Sequence, residues 1–192
     1  MLFKDGDTIV FAGDSTTDAG KLSTGDRLGT GYVRLLNGML NAFCPEVRSR
    51  VVNAGVSGNT SADLLARWEQ DVTAEKPDLV FLIGINDVWR HFDCFDPSRR
   101  QISAEEYERN LEAICERAKG ARELCLMTPF YMEGNRSDEM RIMTEQYAAV
   151  MKGVAKRRGA RVIDLQREFD VYMQSRPGQS ITWDRVHPGE IG

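Results

Sequence analysis

Several things are missing from these 192 residues, and each absence removes a class of protein. The four cysteines, Cys44, Cys94, Cys115 and Cys125, form no C-x-x-C pair and have no metal-ligand spacing, which argues against a zinc module or a disulfide scaffold. Cys115 and Cys125 fall within apolar patterns, where a free thiol behaves as a small hydrophobe. No basic stripe interrupts the mixed charges (25 Lys+Arg against 29 Asp+Glu), so no nucleic-acid partner is expected. No apolar run is long enough to span a bilayer, and Met1–Asp7 has no signal-peptide core, so the expectations are no membrane and a cytoplasmic location. There is no repeat, low-complexity tract or linker. The 42% hydrophobic content suits one domain spanning 1–192 with a sizeable core.

What remains is a regular alternation. Short β-rich runs recur at Thr8–Ala12, Arg50–Asn53, Leu79–Gly84, Leu124–Thr128 and Arg161–Asp164. Apolar runs of this length bounded by Gly, Asn, Asp or Pro predict buried strands of a parallel sheet. Helical patterns lie between them. Tyr32–Phe43 is stopped by Pro45, and Ser61-Ala62-Asp63 opens a helix with Leu64, Leu65 and Trp68 on one face. Ser103 is placed to cap a helix, with Glu106 as its capping-box partner and Tyr107, Leu111, Ile114 and Ala118 as its apolar stripe. Met140, Met143, Tyr147, Val150 and Val154 mark a longer helix closed by Gly159, with the methionines as core filler. Alternating β and α elements predict a three-layer α/β/α sandwich around a central, mainly five-stranded parallel sheet. Right-handed crossovers then gather the carboxyl ends of the strands on one rim.

Four polar blocks should meet on that rim. Gly13-Asp14-Ser15 follows the first strand, and Asn53-Ala54-Gly55-Val56-Ser57-Gly58-Asn59-Thr60 follows the second. Gly84-Ile85-Asn86-Asp87 follows the third, and Asp184-Arg185-Val186-His187 lies near the end of the chain. A hydroxyl nucleophile needs a base, and the base needs an orienting carboxylate; Asp-x-x-His supplies both from one short loop. Taken singly the signals are ordinary. Ser15 could be a helix cap, Gly58 a turn glycine, Asn86 a turn residue, Asp87 a support for that turn, and Asp184 with His187 a surface pair. Competing motifs fail. Gly20-Lys21 is followed by Leu22 and lacks the leading glycine of a phosphate-binding loop, and no Gly-x-Gly-x-x-Gly follows the first strand. The ligand pattern of His91-Phe92-Asp93-Cys94-Phe95-Asp96 is too loose to predict a metal site.

In order and spacing, the four blocks together resemble the SGNH, or GDSL, hydrolases over essentially the whole chain. The resemblance implies a flavodoxin-like fold and no cofactor or metal. It also implies Ser15 as nucleophile, Gly58 and Asn86 with Ser15 as the oxyanion hole, and His187 oriented by Asp184. Gly55 is the competing glycine, but the family's oxyanion glycine is the one in the Ser-Gly-Asn-Thr piece. Arg67-Trp68-Glu69, Ile85–Arg90, Met127–Tyr131 and Trp183–Pro188 are further similar to the branch containing bacterial intracellular acetylxylan esterases. That likeness implies a small-molecule ester substrate, an acetylated carbohydrate, with activity rising with pH as His187 loses its proton. It also offers Trp89, Arg90 and Trp183 as substrate contacts, with core or rim packing as the competing role for the tryptophans. A lipid acyl-ester or thioester hydrolase is the alternative enzyme, and a non-catalytic carbohydrate-binding relative the alternative outside enzymes. His187-Pro188-Gly189-Glu190-Ile191-Gly192 resembles the opening of a further helix in the family. The expectation is a domain lacking that C-terminal helix, with part of the sheet exposed and open to cover by a homo-oligomer contact.

Overall fold

A computed structural model describes residues 2–93, 100–189 and 192. Five strands, β1 (Thr8–Gly13), β2 (Arg50–Gly55), β3 (Leu79–Ile83), β4 (Glu123–Met127) and β5 (Arg161–Ile163), form one sheet of order β2-β1-β3-β4-β5. Every neighbouring pair is parallel. From β1 the chain moves outward to β2 and then returns to the other side at β3, which opens a crevice beyond their carboxyl ends. In open α/β sheets that switch point is where ligands bind.

The helices are α1 (Ser15–Asp18), α2 (Tyr32–Phe43), α3 (Ser61–Asp71), α4 (Asn86–Trp89), α5 (Ala104–Arg117), α6 (Glu139–Arg158) and α7 (Leu165–Met173). Two apolar clusters, one on each face of the sheet, complete the three layers. One joins Val10, Val80, Leu82 and Leu126 to Trp68 of α3, Ile114 of α5 and Met151 of α6. The other joins Ile9, Phe11, Phe81 and Met127 to Val33 of α2 and Phe169 of α7. Burying one such side chain is worth about 1.5–3 kcal/mol, so these two seams supply most of the driving force.

Local chemistry sets the element ends. Pro45 forces Cys44 out of helical geometry and closes α2. Gly159, at φ 71°, takes the left-handed conformation that ends α6. Ser103 Oγ accepts from Glu106 N, whereas the Glu106 carboxylate pairs with Arg100 at 2.7 Å. The reciprocal box occurs instead at α3, where Thr60 and Asp63 satisfy each other's backbone N–H groups.

Two strand expectations need correction. β5 stops at Ile163 because Asp164 caps α7, accepting from Arg167 N. It is also not a buried strand: all three residues are exposed, whereas the last three residues of β2, the opposite edge of the sheet, are buried. Other exposed apolar side chains, Leu35, Met39 and Phe43, lie on the outer side of α2. Glu190 and Ile191, in the segment that resembles a helix opening, and Cys94, Phe95 and Asp96 of the loose metal pattern lie outside the described residues. Among the described residues no helix is long and apolar enough to cross a membrane. None of their His, Cys, Asp and Glu side chains gather in groups of three or more that could hold a metal.

Candidate active site

β1 ends in Gly13, and Asp14 caps α1 by accepting from Thr16 N at 3.0 Å. Ser15 is therefore the first residue of α1. Its N–H is one of the donors at a helix start that have no partner within the helix. The turn is tight because its neighbour is small. A Cβ on Gly55, at the end of β2, would sit 2.2 Å from Asp18 N. Gly55 is thus a close-approach glycine. Asn53 fixes the same junction from below, its Nδ2 donating to Thr17 O at 2.7 Å and to Leu28 O at 2.9 Å.

The β2–α3 loop turns at Val56–Asn59, closed by Asn59 N to Val56 O at 3.1 Å. Gly58 occupies the third position of that turn at φ 81°, a backbone conformation that glycine adopts at no steric cost. Two buried or half-buried arginines hold the loop. Arg67 donates to Asn59 Oδ1 (2.6 Å), Ala54 O (2.8 Å) and Gly13 O (3.0 Å), tying the ends of β1 and β2 to the turn. Arg90 donates to Gly58 O at 2.7 Å and pairs with Asp93 at 2.8 Å.

Asn86 opens α4 after β3, and its Nδ2 donates to Asp14 Oδ2 at 2.9 Å. Asp87 reaches beyond its own turn. Its carboxylate accepts from Ser61 N (2.9 and 3.1 Å) and Ser61 Oγ (2.6 Å), anchoring the start of α3.

Across the crevice, His187 Nε2 is 2.7 Å from Ser15 Oγ, a separation of 172 residues along the chain. His187 Nδ1 is 2.5 Å from Asp184 Oδ2. The other Asp184 oxygen accepts from His187 N (2.8 Å), Val186 N (3.0 Å) and Thr182 Oγ1 (3.1 Å), so the carboxylate organises the loop that carries the imidazole. Partial burial works to raise the Asp184 pKa, but hydrogen bonds from the His187 ring and from the backbone prevail and hold it below the usual carboxylate range. An ionised Asp184 selects the tautomer with hydrogen on Nδ1, leaving Nε2 free to accept the serine proton.

The three sequence-predicted substrate contacts separate in space. Trp183 is 85% exposed, and its ring stacks on His187 at 6.4 Å and 12°. Trp89 is half-buried and packs against the core, and Arg90 is buried beneath the Gly58 loop. Asp14 and Arg67 stand in the sequence blocks that carry the resemblance and Ser61 opens a predicted helix, but the sequence assigns none of them a site role, because their partners lie in other loops.

A strand–helix turn presenting a serine to a histidine–aspartate pair, at the switch point of a parallel sheet, has the geometry of a serine hydrolase. Residues 11–192 match the model of the GDSL-like lipase/acylhydrolase family, and the chain belongs to that family. It is a carboxylic ester hydrolase. It is 42% identical to an acetylxylan esterase of Geobacillus stearothermophilus over 199 aligned positions, covering 100% of this chain and 91% of that one. The solved structure of that acetylxylan esterase, Axe2, superposes with TM-score 0.93 at 42% identity, covering 98% of this chain and 90% of Axe2. LAE5, an α/β hydrolase from the metagenome of Lake Arreo, Spain, superposes with TM-score 0.93 at 44% identity and the same coverage.

Proposed function

We propose that this chain is a serine esterase that removes acetyl groups from xylo-oligosaccharides or related carbohydrates, with Ser15, His187 and Asp184 as its catalytic triad. The observation that carries the reading is the continuous Ser15–His187–Asp184 relay, at 2.7 and 2.5 Å, at the mouth of the switch-point crevice. Homology to an acetylxylan esterase supports the acetyl and carbohydrate parts. Solved structures of Axe2 include catalytic mutants with a serine, an aspartate or a histidine replaced by alanine, which matches the residue types of the relay.

His187 Nε2 takes the Ser15 proton as Oγ attacks the acetyl carbonyl. The oxyanion receives the N–H groups of Ser15 and Gly58 and the Asn86 amide, and loss of one such donor typically costs about 10²–10³ in turnover. The imidazolium, steadied by Asp184, protonates the departing sugar oxygen as its bond to the acetyl carbon breaks, releasing the sugar hydroxyl. A water activated by the same imidazole then attacks the acetyl-enzyme, releasing acetate and restoring Ser15. No metal or cofactor enters these steps. Trp183, flat and open to solvent beside His187, offers a face on which a sugar ring can stack.

The test compares initial rates on acetylated xylo-oligosaccharides and on a medium-chain acyl ester, with Ser15→Ala as the blank. Ser15-dependent release of acetate in preference to the longer acyl group is expected. The reverse preference would move the substrate to a lipid or thioester. A folded Ser15→Ala protein with full turnover would overturn the assignment of the nucleophile.

A further inference from the structure

Two buried acids beneath the crevice, Asp14 (1% exposed) and Asp87 (4%), take no part in the steps above. Together with Ser61 and Tyr107 they line a small, partly open pocket of about 20 Å³. A carboxylate withdrawn from water is costly unless its lone pairs are used. Those of Asp14 are used by N–H donors alone. Oδ1 accepts from Thr16 N at 3.0 Å, and Oδ2 accepts from both Ile85 N and Asn86 Nδ2 at 2.9 Å. A proton on Oδ2, which already accepts two bonds, would displace one of them. Burial raises the Asp14 pKa, and hydrogen bonds from Ile85, Thr16 and Asn86 oppose it.

A side-chain amide can be turned either way, with its NH₂ and its oxygen exchanging places. An ionised carboxylate is acceptor-only, so it bonds Asn86 through Nδ2 and repels the flipped form, which would set one oxygen against another. We propose that Asp14 is a positioning residue that locks the orientation of the Asn86 amide, holding the second Nδ2 hydrogen for the oxyanion formed at Ser15. Through Thr16 N the same carboxylate caps the helix that begins with Ser15. One buried group thereby sets two of the three oxyanion donors in register across 72 residues of sequence. Asp87 acts in parallel on the third donor, since its bonds to Ser61 anchor the end of the Gly58 loop. The inference rests on the Ser15 and Asn86 roles proposed above.

A double-mutant cycle of Asp14→Asn and Asn86→Ala on a small acetate ester tests it. The neutral amide of Asp14→Asn presents both a donor and an acceptor, so either orientation of Asn86 can pair with it. Asp14→Asn should lower kcat about 10–100-fold with KM within about twofold, since a donor seen only by the transition state is affected. In the Asn86→Ala background the same change should cost no more than about threefold. Equal losses in both backgrounds, or no loss in the first, would overturn the proposal; equal losses would leave Asp14 as a helix cap only. The side-chain amide protons of Asn86 give a second readout that does not require the Asp14 variant to fold. Assigned in the wild-type nuclear magnetic resonance spectrum by their loss in Asn86→Ala, they should be widely separated and slow to exchange. A pair resembling a solvent-exposed asparagine would overturn the lock. Full turnover by Ser15→Ala would instead refute the underlying site reading and leave this spectroscopic result untouched.

Discussion

Arg90 Nη2 donates to the carbonyl oxygen of Gly58 at 2.7 Å from a side chain only 6% exposed. The guanidinium therefore faces the back of the Gly58 turn, the loop proposed above to bind the oxyanion. Two donors on a rigid fork hold Gly58 and Asp93 at once, which a lysine cannot reproduce. Arg90→Lys should lower kcat about tenfold or more, with KM for an acetylated oligosaccharide within about twofold, because loop placement matters most when the oxyanion forms. A raised KM with unchanged kcat would identify Arg90 as a sugar contact instead.

Trp183 gives the opposite signature. Its 85% exposure means that little packing is lost on truncation, and its stack on His187 lies on an open surface. Trp183→Ala should leave the melting temperature within about 2 °C of wild type, as surface changes usually do. KM for acetylated xylo-oligosaccharides should rise about 3–10-fold, in line with the loss of one aromatic contact of about 1 kcal/mol. A small aryl acetate should be hydrolysed as before. Equal losses on both substrates would mean that Trp183 serves His187 rather than a sugar.

These two residues also mark where sequence reading stops. The strands and the large helices were legible because each rests on a local signal: apolar runs for β1 and β3, a four–three–four stripe for α5, Gly159 for the end of α6. The candidate roles of Ser15, Asn86 and His187 are readable only as a set, through family resemblance. The scaffold behind them was not, because it is made of long-range polar bonds. Arg67 reaches Gly13 across 54 residues, and Asp87 reaches Ser61 across 26. The exposure of β5 escaped because Arg161–Ile163 reads like any short strand, and what packs over a strand is not written in its own residues.

The buried acids predict a stability profile. Burial first, and then the charge of Asp14, push the Asp87 carboxyl from 3.8 to about 7. Between those values the folded protein retains a proton that the unfolded chain has released. By linkage the resulting stabilisation is present at the acidic end of the window and is lost as pH rises past about 7. The other groups around Asp87, namely Ser61, Asn110 and Tyr107, stay uncharged across this window, burial holding Tyr107 well above its ordinary value. The melting temperature should therefore fall between pH 6 and pH 8.5, and Asp87→Asn should flatten that fall. Parallel wild-type and variant curves would show that another group is responsible.

The loop carrying His187, the proposed base, is held by a residue to which sequence reading gives no role. Arg185, between Asp184 and His187, has φ 67°, a left-handed conformation that costs a non-glycine residue about 1–2 kcal/mol. Its side chain pairs with Glu133 and lies 5.5 Å from the centre of the Tyr131 ring, while its carbonyl accepts from Met132 N at 2.9 Å. Glu133 is fixed in turn, its own carbonyl accepting from the buried Arg141 at 2.8 Å. The strain is thus offset by a strut that joins the Asp184–His187 loop to the β4–α6 loop. Arg185→Gly separates the two effects, because glycine relieves the backbone but removes the ion pair. Its melting temperature should stay within a few degrees of wild type, while kcat falls about 5–50-fold from misplacement of His187, as small errors in catalytic geometry do. Glu133→Gln, which keeps the backbone strain and weakens the pair, should lower kcat in the same direction and lower the melting temperature as well. If Arg185→Gly turned over at the wild-type rate, the strut would be a feature of stability alone, and Asp184 with its backbone bonds would suffice to place the base.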